Sequence, residues 1–323
     1  MNLHWRNISN ETGIENHLEV KVSNSEKPAI RLIAGTNLQF KIVKDSNDLL
    51  WGRIASDYYG CWALRGKNNW AVDEMPIPPI TSSTVEESKS QLSKDRIGFW
   101  AKYFLNELKI SKSSILFDGT WELTEAKKNE TATNHKNLRK VDYDFTINDQ
   151  QPVWMDWDFG NALKVIRLKE KQPTETGRIK WWKKKVAEDS CPPILTWFVA
   201  SLDSLVVVDG HDRLSAYEAL NIQPQFLIIN SVRKEPKEVD KGKQQGILDS
   251  LAKRNLNPEK KGLTVERLNY LLLDAFDDSA FRRPITKSNG KAGLSESWIK
   301  EVSSFKLDSS IDQEELEAML VGD

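Results

Sequence analysis

Residues 205–220 read Leu-Val-Val-Val-Asp-Gly-His-Asp-Arg-Leu-Ser-Ala-Tyr-Glu-Ala-Leu, and no other stretch of the chain restricts its fold as much. The apolar, mostly β-branched start predicts a buried strand, and residues 213–220 predict a short helix. Gly210 joins the two, so the chain turns sharply at the one residue without a Cβ. Strand end and helix start together gather Asp209, His211, Asp212 and Arg213 where unpaired amides and the helix dipole favour an anion. Arg213 adds a forked cation suited to phosphate. Asp209 is the candidate base or Mg²⁺ ligand, and His211 the candidate proton carrier. Asp212 or Ser215 is expected to cap the first helical turn. The plain alternative is a structural turn whose Asp caps the helix and whose Arg pairs with a nearby acid.

The flanking residues extend the pattern. A short strand is expected at 163–168, a basic helix at 177–188, a strand pair at 193–200 and 205–208, and a buried strand at 225–229. Strand, helix, hairpin, helix and strand make a compact α+β unit over residues 149–232. Upstream, residues 17–43 alternate apolar and polar in three runs broken at Ser23-Asn-Ser and Gly35-Thr-Asn, which predicts antiparallel strands. A Pro-rich loop at 73–83 precedes a helix at 93–108, with Ile97, Trp100, Ala101, Phe104 and Leu108 on one face. Strands are expected again at 114–123, with Asp118-Gly119 as a turn inside them, followed by an exposed loop at 125–140. Residues 1–148 are therefore taken as a separate α+β unit. Residues 233–323 are taken as a helical extension with helices at 263–281 and 295–305. The acidic tail carries Ile311, Leu316, Met319 and Leu320 in one stripe, which predicts a helix docked on the body or offered to a protein partner.

Composition narrows the classes. The 323 residues carry 46 basic and 47 acidic side chains for a net charge of −1, so neither a globally basic nucleic-acid coat nor an acidic disordered chain is expected. Two cysteines, Cys61 and Cys191, cannot build a disulfide framework or a four-cysteine zinc site. No apolar run approaches the ~20 residues of a membrane span, and residues 1–11 lack an apolar signal core. A soluble, cytoplasmic protein without a membrane partner is the expectation. Tryptophan is unusually abundant: 12 residues, eight of them before residue 158. Buried aromatic cores are the ordinary reading, and a stacking platform around Trp62, Arg65, Lys67 and Trp70 is the sharper one.

The spacing Gly210, Arg213, Ala216 after an apolar strand resembles the signature of the ParB/sulfiredoxin superfamily. Asp209-Gly210-His211 resembles the form found in its phosphotransferase members, including free-serine kinases. The resemblance covers about residues 150–232. It implies a nucleotide ligand (ATP, ADP or CTP) with Mg²⁺, phosphate contacts from Gly210, His211, Asp212 and Arg213, and phosphoryl transfer or nucleotide hydrolysis beside Asp209 and His211. It also implies a catalytic glutamate from the loop after the first strand, a role that Glu170 or Glu175 would fill. No cysteine lies between Asp209 and Arg213, which excludes sulfinic-acid reduction of the sulfiredoxin kind. The Pro-x-Gln-Pro-Arg element of chromosome-partitioning members is missing, which argues against a CTP-gated DNA clamp.

Residues 164–185 hold nine basic side chains against Glu170 and Glu175, with Trp181 and Trp182 at the centre. Such a local excess can gather nucleic acid, through Trp181, Trp182, Lys183, Lys184 and Lys185, or can be a solvated helix face. Two consecutive tryptophans cannot both face the core, so one of them is expected to be partly exposed. The alternatives to an enzyme are a non-catalytic binding protein, such as a toxin-immunity or phage-defence factor, and a nucleic-acid-processing accessory.

Overall fold

A computed structural model describes residues 1–8, 17–57, 59–66, 74–126, 140–147, 150–157, 162–235, 241–255 and 281–322. The alternating run at 17–43 forms β2 (His17–Ser23), β3 (Ile30–Ala34) and β4 (Gln39–Lys44). They do not stay together. β3 and β4 pair antiparallel and enter one sheet, while β2 pairs with β1 (Asn2–Ile8) and with β7 (Gly119–Ala126) in another. The strand expected from residue 114 begins only at Gly119, so Asp118-Gly119 lies at its start instead of inside it.

The smaller sheet continues through β5 (Asn47–Ile54), β6 (Gly60–Arg65) and β9 (Pro152–Asp156), and is closed on its other edge by β15 (Ser288–Gly290) beside β3. The larger sheet runs in the order β1-β2-β7-β13-β11-β12-β10-β8. Here β8 is Lys140–Ile147, β10 Ala162–Arg167, β11 Ile194–Val199, β12 Ser204–Asp209 and β13 Phe226–Glu235. β11 and β12 are the expected antiparallel hairpin, β10 lies parallel to β12, and β13 lies parallel to β11. The fold class is thus mixed α/β with two sheets.

The helices form where the apolar spacing and caps place them. Thr81 accepts an amide hydrogen bond from Thr84 and caps α1 (Ser82–Lys89). In α2 (Ser93–Ile110) the face carrying Trp100, Ala101, Phe104 and Leu108 is buried, as its spacing predicts. α3 (Gly177–Ala187) and α4 (His211–Leu220) pack on one another.

Two divisions expected from composition do not survive. Residue 148 is no boundary, because the larger sheet takes β1, β2, β7 and β8 from one side of it and β10 to β13 from the other. The C-terminal region is divided instead: Met1–Val232 and Pro284–Asp323 form one unit, and Arg233–Arg283 the other. In the second unit α5 (Lys241–Asn255) is described, and β14 (Phe281–Ile285) carries the chain back to the first. The helix expected at 263–281 falls almost wholly outside the described residues, as does most of the loop expected at 125–140.

In the first unit the helix expected at 295–305 is α6 (Leu294–Ser304) and the acidic tail forms α7 (Gln313–Val321), both docked on the smaller sheet. Trp298, Val302, Ile311, Leu316 and Met319 are buried against Trp51, Trp62 and Leu64. The stripe is therefore a docked face and not one offered to a partner. Trp51, Trp62, Trp100, Trp121, Trp182, Trp197 and Trp298 all lie in cores, so the ordinary reading of the tryptophans holds for these seven. Trp62 packs against Trp154 with ring centroids 5.3 Å apart, which removes it from a stacking platform; Lys67 and Trp70 lie outside the described residues.

Candidate functional site

β12 delivers Asp209 at its end, opposite Leu195 of β11. Gly210 then adopts φ +103°, ψ +21°, and α4 begins at His211, two residues earlier than its composition implies. That left-handed φ is open to glycine and strained for other residues. A Cβ here would also lie 2.8 Å from Arg213 Nη2. No side chain caps α4, so neither Asp212 nor Ser215 fills the expected capping role. The Ser215 hydroxyl instead donates to the His211 carbonyl at 3.2 Å and accepts from Arg167 Nη1 at 3.2 Å.

The structure brings Asp209, His211 and Arg213 together, but it turns the guanidinium inward. Arg213 Nη2 donates to Asp209 Oδ2 at 2.6 Å and to the Pro193 carbonyl at 3.1 Å. The guanidinium carbon lies 5.3 Å from the centroid of the Trp182 ring, a stacking distance. Arg213 is only 2% exposed and Asp209 6%. A buried pair of this kind is held by mutual charge and hydrogen bonding, and each partner is occupied by the other. The structural alternative, an Arg paired with a nearby acid, is thus present in the geometry, with Asp209 as the acid.

A second arginine secures the corner from the sheet side. Arg167, at the end of β10 and fully buried, donates to the His211 carbonyl at 2.8 Å and to Glu218 Oε1 at 2.8 Å. Lys171 also pairs with Glu218, at 2.9 Å. The Nε atoms of Arg167 and Arg213 are buried without a hydrogen-bond acceptor.

His211 is buried, and burial first, then the positive charges of Arg167, Lys169, Arg213 and Arg65, push its pKa well below the ordinary imidazole value. It is neutral near pH 7 and a weak base, which removes the near-neutral titration expected of it. Arg178 belongs to the same field: it feels Arg213, Asp212 and Asp209 and stacks near both Trp181 and Trp182. Among the described residues that these interactions connect, Arg65, Arg167, Lys169, Lys171, Arg178 and Arg213 face Asp209, Asp212 and Glu218. The corner is therefore net positive although the chain is nearly neutral.

The corner's other walls were not visible in the sequence. Burial drives Tyr103 of α2 up to about 12, with Asp209 raising and Arg213 lowering it, so the phenol lies within their field. Cys191, driven by burial up to about 11, feels Arg213 and shares a hydrogen bond with Tyr217. Nothing in their spacing marks these residues, because they reach the corner from α2, from the loop before β11 and from the far side of α4.

The remaining candidates lie in the segment after β10 and on α3. Glu170 is exposed in the segment after β10. Glu175, also exposed, pairs with Lys180 at 3.1 Å. On α3, Trp182 is buried and Trp181 half-buried, in keeping with the limit on consecutive tryptophans. Lys183 lies 3.9 Å from Glu175 and Lys184 3.9 Å from Glu188; the largely buried Lys185 bonds Glu188 at 2.9 Å and Glu86 at 3.3 Å. Lys183, Lys184 and Lys185 are thus engaged by carboxylates of their own chain.

The expected Mg²⁺ ligand, Asp209, already has a partner in the protein. Asp209 is buried and committed to Arg213, and no group of three or more His, Cys, Asp or Glu side chains suited to a metal occurs among the described residues. Comparison with protein families, with curated proteins and with solved structures returns no match.

Proposed function

We propose that this protein binds a phosphate-bearing ligand, with a nucleotide as the class the sequence resemblance implies, at the outer edge of the corner where β12 turns into α4. The observation that carries this reading is the excess of positive charge around a left-handed glycine at a helix N-terminus. The first-turn amides of α4 and the helix dipole favour an anion there. Arg178, Lys169 and Lys171 are the corner cations with side chains reaching solvent; Lys171 is held by Glu218, so Arg178 and Lys169 are the groups assigned to the phosphate. Arg167 and Arg213 set the field from beneath.

Binding is better supported than phosphoryl transfer. Transfer through Asp209 as base requires the carboxylate to leave Arg213, and that guanidinium has no other carboxylate among its hydrogen-bond partners. His211, neutral and weakly basic, does not replace it. Asp209 and Arg213 therefore act here as the pair that shapes the corner.

Calorimetric titration with ATP, ADP and CTP tests the proposal. Binding in the sub-millimolar range that weakens as salt rises is expected, and an Arg178→Ala, Lys169→Ala double variant should lose about tenfold in affinity, the scale of one or two charge-assisted hydrogen bonds. No heat at millimolar nucleotide, or binding indifferent to both substitutions, overturns it.

A further inference from the structure

The approach to β3, the approach to β7, the strand β11 and the segment before β15 enclose a cleft of about 460 Å³ in the first unit, remote in sequence from the α4 corner. Its size falls within the ~300–1,000 Å³ of small-molecule sites. We propose that this cleft binds a small planar aromatic carboxylate, independently of any ligand at the corner.

The apolar part of the cleft is built to receive a ring. Phe117 packs against Trp121 with centroids 4.8 Å apart, and the Trp121 indole donates to the Phe117 carbonyl at 2.9 Å, so the Phe117 ring is held in place. Trp197 of β11 forms another wall. Trp197 is 3% exposed, and its indole N–H is buried without an acceptor.

The polar part favours a single negative charge. Lys287 lies over the Phe117 ring at 5.2 Å, and Lys27 stands at the same rim. The segment bearing Lys287 is pinned beside it: Thr286 accepts from the Ala200 amide at 2.8 Å, and Ile285 accepts from the Ser231 hydroxyl at 2.6 Å. Arg31 is committed to the Pro28, Ala29 and Asp45 carbonyls and frames the wall. Two acids also line the cleft. Asp118 takes hydrogen bonds from the Ser25 amide at 2.7 Å and hydroxyl at 2.6 Å, which with Lys287 keep its carboxyl below the ordinary range and ionised. Glu26 is the other. Their charge disfavours a dianionic phosphate and leaves a monoanion as the fitting ligand. A flat ring against the aromatic walls and a carboxylate at Lys27 and Lys287 use these features.

The probe is 2-naphthoate, measured by calorimetry on the full chain beside 2-naphthalenemethanol as the neutral control and cyclohexanecarboxylate as the non-planar one. Submillimolar binding of 2-naphthoate, at least about fivefold tighter than either control, is expected. Lys287→Ala, at an exposed position, should weaken it about fivefold. No binding at millimolar probe, equal affinity for the alcohol, or an affinity unchanged in Lys287→Ala overturns the proposal. Lys169→Ala, at the α4 corner, should leave naphthoate binding as it was; a loss there overturns the independence of the two sites.

Discussion

Two buried ion pairs in this protein look alike and do different things. At the α4 corner, Arg213 and Asp209 are four residues apart and lie among further cations. On the smaller sheet, the buried Lys41 pairs with Asp48 at 3.2 Å and with Glu301 of α6, and the Trp51 indole donates to the same Glu301 carboxylate at 2.7 Å. The second cluster joins residues 260 positions apart and matches its one lysine with two acids. It latches the C-terminal helices to the sheet. The first pair joins nothing distant, and its surroundings keep an uncompensated positive charge. Both clusters stabilise structure, but only the corner is electrostatically prepared to attract an anion.

Removing one partner from each pair sharpens the contrast. Asp209→Ala strands a 2%-exposed guanidinium, and breaking a buried pair in this way costs ~3–5 kcal/mol. Urea denaturation should show the largest loss of stability here; a loss below 1 kcal/mol would mean that the pair is not what holds the corner. Glu301→Gln should cost less, ~1–2 kcal/mol, because Asp48 still faces Lys41 and the glutamine oxygen can accept from Trp51. Its distinctive mark should be early proteolysis of residues 294–322, and unaltered cleavage of that segment would count against the latch.

A third, smaller effect belongs to pH. The folded-state pKa of His211 lies below its unfolded value of 6.5. As pH falls below 6.5 the unfolded chain takes up the proton first, so stability is present above 6.5 and declines toward the folded pKa. The slope contributed by one such group reaches at most ~1.4 kcal/mol per pH unit. His211→Gln should flatten the curve between pH 6.5 and 4.5, above the range where carboxylates such as Glu218 and Glu188 titrate. An equally steep curve in the variant would place the histidine in contact with solvent.

What the sequence discloses follows the physics of each element. The β12–α4 corner is legible because an unbroken apolar run, one glycine and an alanine-rich helix each have a single local solution. β6 is buried along its whole length, and its Gly-Cys-Trp-Ala-Leu run shows no strict polar alternation. β6 passes unnoticed for that reason, its Trp62 and Arg65 reading as a surface patch when both are in fact buried. Pairings such as β6 with β9 and β3 with β15 join distant segments, and no local pattern encodes them. At the corner, the αL glycine and the set of charged groups are readable, whereas the inward turn of Arg213 depends on Pro193 and Trp182, contributed by other elements.

The claim on which the account rests is that the opening turn of α4 receives phosphate, and amide chemical shifts report on it directly. Titrating isotope-labelled protein with ATP should move the backbone amides of Gly210, His211, Asp212 and Arg213 most, in proportion to occupancy, and leave those of residues 25–31 and 287–289 unchanged. Amides of the corner that stay fixed at millimolar ATP, while others move or none do, would contradict it.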